Sequence, residues 1–168
     1  MNIDIELSYA SVTDALLAVQ EYRESLNQKL TQLVAVLSEN GIQTANYWIS
    51  AAKGDADTSA YVDYSFDSSG GIVSAEISLG GKDALFVEFG AGIYYNAAGT
   101  PHASQFGMGV GTYPGQKNAF KDHWYYTNKE TGETRIKSHG TQGTYPLYHA
   151  AVAMRNQLIT RAIEIFME

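Results

Sequence analysis

Residues 61–79 read YVDYSFDSSGGIVSAEISL, and the reading of this stretch decides the fold. Its first half, 61–66, alternates as a half-buried strand does. Asp67, Ser68, Ser69, Gly70 and Gly71 then supply the polar and glycine residues of a hairpin connection. Ile72, Val73, Ala75, Ile77 and Leu79 make the returning strand, which stops at Gly80 and Gly81. A period of two this clear predicts an antiparallel pair. The run Ala84-Leu85-Phe86-Val87-Glu88-Phe89 predicts a third strand.

Upstream, the period is helical. Leu16, Val19, Leu26, Leu30, Leu33 and Leu37 recur at three–four spacing with Arg23 in the gap, which places them on one stripe of a long helix over 11–40. Ser11 or Thr13 can cap its start, and Gly41 reads as its stop. A second, short helix is expected over 43–52, using Ala45, Trp48, Ile49 and Ala52. Residues 54–59 read as a turn. A helix laid across a sheet suits the stripe better than a coiled coil, because it spans only about three heptads.

Downstream, regular patterning stops over 90–121. Gly90, Gly92, Gly99, Gly107, Gly109, Gly111 and Gly115 are interspersed with Ile93, Tyr94, Tyr95, Phe106, Met108, Val110, Tyr113 and Phe120. So long a loop is unusual inside a compact domain. Its mixture of apolar and glycine residues predicts an extended arm that orders on a partner. A ribbon follows, with strands at 122–127 and 134–138 and a turn between them. Tyr145-Pro146 opens a last helix over 147–166, whose inner stripe is expected to hold Leu147, Ala151, Met154, Leu158, Ala162, Ile165 and Phe166. Strands grouped between helices give an α+β fold in a single domain, 1–168: a long N-terminal helix, an antiparallel sheet with a long Gly-rich insertion and a β-ribbon, and a C-terminal helix packed on the sheet.

Composition narrows the function. A net charge of -7 argues against coating DNA, which needs clustered Lys and Arg. Charged residues make up 17%, below the roughly 25% of an average domain, and 12 Tyr give a surface suited to protein contacts. There is no Cys, so no disulfide frame and no thiolate site. The start, MNIDIELSYA, has neither the basic nor the apolar region of a signal peptide, and no apolar run approaches a membrane span.

Candidate chemistry is sparse. His102, His123, His139 and His149 show no i,i+4 pair and no HExxH. Asp55, Asp57 and Asp63 lack the glycine and terminal glutamate of a calcium loop. The glycines at 107, 109 and 111 lack the lysine, strand and helix of a phosphate loop. Glu88, standing between Val87 and Phe89 in an apolar run, could serve as a general base in an enzyme; the plainer reading is an outward side chain, or one that orients the following glycine turn by accepting its backbone amides. No metal or cofactor is expected.

The segment Phe86-Val87-Glu88-Phe89-Gly90-Ala91-Gly92 resembles the "VEFGTG" segment of small tail-completion and head–tail joining (neck) proteins of tailed bacteriophages. The order of elements is similar too: a long helix ending at Gly41, Ala45 with Ala51 and Ala52, a hairpin around Gly70 and Gly71, and Thr144-Tyr145-Pro146-Leu147 leading into His149-Ala150-Ala151. The chain departs in having Asp55-Ala56-Asp57-Thr58-Ser59 where the family often has a Pro-Asp-Thr-Gly turn, and in a longer 94–121 segment.

The resemblance implies a structural virion protein and not an enzyme. It would be assembled in the bacterial host cytoplasm and act in the neck as a homo-oligomeric ring of six or twelve copies. It would close the tail tube or join the tail to the head connector. Its partners would be tail-tube and head connector proteins, with no membrane, and DNA only as cargo passing through the lumen. Expected partner contacts are Glu88, Phe89, Gly90 and Gly92, then Tyr94, Tyr95, Phe106, Met108 and Tyr113 in the arm, and Trp124 and Tyr126 on the ribbon. The alternatives are a small hydrolase-like enzyme using Glu88 with histidines, and a ligand-binding module with a deep apolar pocket under the helices.

Overall fold

A computed structural model describes residues 9–52, 58–95, 100, 102–110, 112–114, 122–128 and 131–167. The expected turn at 54–59 and the tail of the arm fall largely outside these residues. The elements are α1 (Tyr9–Ala52), β1 (Tyr61–Asp67), β2 (Ser74–Gly80), α2 (Ala84–Phe89), β3 (Trp124–Tyr126), β4 (Ile136–Ser138) and α3 (Pro146–Met167). The fold is α+β, as the grouping of strands between helices requires.

The hairpin forms, but its return is shorter than expected: β2 starts at Ser74, leaving Ile72 and Val73 in the turn, and β1 is exposed along most of its length. Tyr61 pairs with Gly80 and Asp67 with Ser74. Gly70 and Gly71 take φ of 66° and 78° in the turn. The Asp67 carboxylate accepts from the Ser69 amide at 2.9 Å and the Ser69 hydroxyl at 3.1 Å. Those bonds hold its pKa below the usual aspartate value. The ribbon pairs Trp124 with Ser138 and Tyr126 with Ile136. Its turn is closed by the Asn128 amide donating to the Glu133 carbonyl at 2.9 Å.

Two sequence expectations are overturned. Gly41 does not stop the first helix; α1 runs unbroken for 44 residues. A helix stop needs a left-handed residue, and Gly41 is not among the positive-φ glycines. It serves as a point of close approach. A Cβ there would sit 2.7 Å from both the Met154 sulfur and the Ile77 Cδ1. Ser38, 4% exposed, and Ala45, 0% exposed, extend the same small-residue line. Packing along it offsets the roughly 1 kcal/mol that glycine costs inside a helix.

The expected third strand is α2, a helix of six residues. A short continuous apolar run does not distinguish a strand from a buried helical turn. Here Gly81 and Gly90, at φ 99° and 72°, bend the chain at both ends. The Asp83 carboxylate secures the entry by accepting from the Ser59 amide and hydroxyl, at 2.9 and 2.7 Å. Among the described residues each sheet therefore has two strands.

α3 runs back along α1. Trp48 stacks on His149 with ring centroids 3.9 Å apart, Gly41 meets Met154, and Ile165 lies beside Gln32 and Val36. α1 is twice as long as α3, so the end holding Leu16 and Val19 projects past it. The leucine stripe is therefore covered only in part. Leu33 is 8% exposed, while Leu16 is 60% and Val19 51%.

The inner face of α3 also differs in part from expectation. Pro146, Ala150 and Ile165 are buried, whereas Ala151 is exposed and Leu158 is 44% exposed. Among the described residues no helix is long and apolar enough to cross a membrane.

Candidate functional site

The FVEFGAG segment lies where α2, the loop before α3 and the first turn of α3 meet. Gly90 ends α2 at φ 72°, ψ 178°, its amide donating to the Phe86 carbonyl at 2.8 Å. Ala91 and Thr141 exchange two backbone hydrogen bonds, of 2.8 and 3.1 Å. The Thr144 amide donates to the Val87 carbonyl at 2.8 Å. The two strands of chain are so close that a Cβ on Gly143 would lie 2.6 Å from the Gly90 nitrogen.

Glu88 closes this junction. It is 7% exposed, and its two carboxylate oxygens accept from the amides of Leu147 and Tyr148 at 2.8 and 3.2 Å. Both amides belong to the first turn of α3, where N–H groups lack intrahelical partners and the helix dipole favours an anion. Burial pushes the Glu88 carboxyl above the usual glutamate range, and the two amides pull it part of the way back. The expected service to the glycine turn is corrected: Glu88 caps a helix 59 residues downstream.

Beside the junction lies a cleft of about 570 Å³. Leu79, Leu85, Phe89 and Phe106 make it largely apolar, with Glu88, Glu76 and His102 at its walls. Its volume falls in the range of small-molecule sites. It is lined by β2, α2 and the first turn of α3, to which Leu147 and Tyr148 belong, and its rim includes the 51% exposed Phe106. Such a site accepts an apolar side chain more readily than a polar substrate.

The expected contact residues do not share one environment. Glu88, Phe89, Gly90, Gly92 and Met108 are buried within the chain. They hold the fold, so their assignment to a partner surface is corrected. Tyr113 is half-buried, with its ring 5.4 Å from that of Phe86. Tyr94, Tyr95 and Phe106 are 64%, 43% and 51% exposed. Trp124 and Tyr126 contribute backbone to β3; their side chains lie outside the described residues.

The arm is also corrected in part. Ala103 and Met108, each 3% exposed, form a cluster with Phe89, and Leu85, Phe86 and Tyr113 pack around it. That portion orders on its own chain.

The histidines do not converge on Glu88. Only His102 shares its cleft. His123 and His139 lie 6.0 Å apart, with the Asp122 carboxylate 2.7 Å from His123 Nδ1 and the Asp122 carbonyl 3.0 Å from His139 Nδ1. The bond from His123 lowers the Asp122 pKa. His149 is occupied by Trp48. Among the described residues no three His, Cys, Asp or Glu are grouped to hold a metal.

No family model, curated protein or solved structure matches this chain.

Sequence reasoning missed the 140–144 loop as the partner of FVEFGAG. The only signal was the pair Gly140 and Gly143 ahead of Pro146. It also missed a second apolar stripe on α3, formed by Tyr148, Val152, Ile159, Ile163 and Phe166, which carries the same three–four spacing as the leucine stripe.

Proposed function

We propose that the chain is a structural subunit of the neck of a tailed phage or tail-like particle, closing the tail tube or joining it to the head connector as one member of a ring. The observation that carries this reading is the uncovered apolar stripe of α1. Val12, Leu16, Val19 and Tyr22 are each 44–60% exposed on the stretch that projects past α3. A helix face of that kind is stable in water when another surface covers it. The resemblance at FVEFGAG supplies the setting.

The buried carboxylate supports the same reading, because both of its oxygens are engaged in holding α3. Tyr94, Tyr95 and Phe106 offer aromatic anchors of the kind that dominate protein interfaces. The test is co-sedimentation of the purified chain with assembled tail tubes of the same particle. Stable capture at the tube end is expected. A chain that stays in the supernatant with both tail tubes and head connectors would overturn the role.

A further inference from the structure

Only one edge of β2 is paired. β1 bonds it on one side, and among the described residues no group bonds its backbone on the other. Alternate residues of an antiparallel strand turn their N–H and C=O groups away from the partner, so the outer edge of β2 presents a row of free donors and acceptors. The apolar cleft adjoins this strand. Ser78 and Leu79 of β2 line it together with Leu85 and Phe89 of α2 and Leu147 of α3. No residue of β1 lines it, so it opens on the side of β2 that β1 leaves bare.

Charge is uneven along the strand. The register sets Ser65 opposite Glu76 and Asp63 opposite Ser78, so these four side chains share one face of the hairpin. Ile77, on the other face, meets Gly41 of α1. The four line a hollow of about 140 Å³. Glu76 is exposed and lines both the hollow and the cleft. It makes no ion pair or hydrogen bond among the described residues. The neighbouring carboxylates are engaged: Glu88 by the Leu147 and Tyr148 amides, Asp63 by the Tyr64 amide and Asp67 by the Ser69 amide. No Lys or Arg lines the cleft or the hollow. His102 stands at the cleft wall, and Lys82 follows the opposite end of β2 from the hairpin tip.

We infer that β2 and the cleft receive an extended segment of a partner protein, which adds to the open edge as a strand, seats a bulky apolar side chain in the cleft and sets a Lys or Arg over Glu76. Ser78 and Leu79 lie two and three residues from Glu76, or about 7–10 Å of strand. The basic residue therefore sits two or three positions from the apolar one, toward the hairpin tip. Backbone bonds attract any extended chain, and the cleft and the carboxylate select among chains. A polar anchor would give up its hydration against largely apolar walls. An acidic segment would meet the free Glu76 carboxylate and be repelled.

The test is selection of a random-decapeptide mRNA-display library against the full chain. The expected consensus holds a bulky apolar residue with Lys or Arg two or three positions away. A synthetic peptide of that consensus should shift the amide NMR signals of Ser74–Gly80 and Ala84–Phe89. Glu76→Lys changes an exposed side chain and should leave the fold intact while weakening the peptide roughly tenfold. N-methylation of one alternating set of peptide amides should abolish binding, and methylation of the other set should be tolerated, because only one set faces β2. Docking through side chains alone would not separate the two sets.

No enrichment, a consensus without the basic residue, equal affinity for Glu76→Lys or indifference to which amides are methylated would each overturn the site. The site stands apart from the neck role. Capture by tail tubes with no peptide enrichment would sink the site alone. Enrichment by a chain that ignores tail tubes and head connectors would sink the neck role alone.

Discussion

Gly90→Ala is expected to destabilise the fold by about 3–5 kcal/mol and to lower Tm by roughly 10 °C. Two effects combine. A φ of 72° with ψ of 178° is a backbone region that only glycine occupies readily, at a cost on the order of 1–3 kcal/mol for any other residue. The added methyl would also meet backbone on three sides: the Tyr95 carbonyl, the Gly143 nitrogen at 2.7 Å and the Thr141 carbonyl at 2.9 Å. Backbone in a closed junction cannot rotate away as a side-chain tip can, so the overlap adds a further few kcal/mol.

The control is Gly71→Ala, where φ is 78° but nothing lies within 4 Å of the new atom. It should cost only about 1 kcal/mol. Chemical denaturation of both variants separates the effects. Equal losses would mean that the Gly90 junction is not closed as described.

Glu88→Ala is expected to cost about 2–3 kcal/mol, because it strips the acceptor from two amides in a covered helix turn. Glu88→Gln keeps one acceptor but points an NH₂ at the other amide, and should cost about 1–2 kcal/mol. The pH dependence identifies the cause. Burial raises the carboxyl pKa in the folded chain above its ordinary value of 4.5, so folding favours the protonated form. The stability this contributes is present below pH 4.5 and is lost as pH rises through the folded-state pKa. The deficit of Glu88→Gln against the parent chain should therefore be larger at low pH and shrink as pH rises. A deficit that grows across that window would show that the amides outweigh burial.

Legibility followed period. The hairpin at Tyr61–Asp67 and Ser74–Gly80, the long N-terminal helix and the Pro146 start of α3 were readable because alternation, helical spacing and turn chemistry are local. Gly41 misled because glycine as a helix stop and glycine as a packing notch look alike until the crossing helix is known. Residues 84–89 misled because five apolar positions around Glu88 carry no decisive period.

The junction was half readable. Glu88 stood out in an apolar run and the glycines announced unusual backbone, but their partners lie some 50 residues downstream in the 140–144 loop. The inner face of α3 was read in part: Met154 and Ile165 meet α1 as the spacing implied, but Ala150 is buried in place of Ala151, and Leu158 is exposed, because the helix has apolar residues on two sides.

The proposed ring role requires that this chain assemble with copies of itself. Its most direct test is the mass of the full chain in solution by light scattering across a concentration series. The expected result is a monomer passing to one defined multimer of ring size. A particle of about 18 kDa at every concentration would contradict the account.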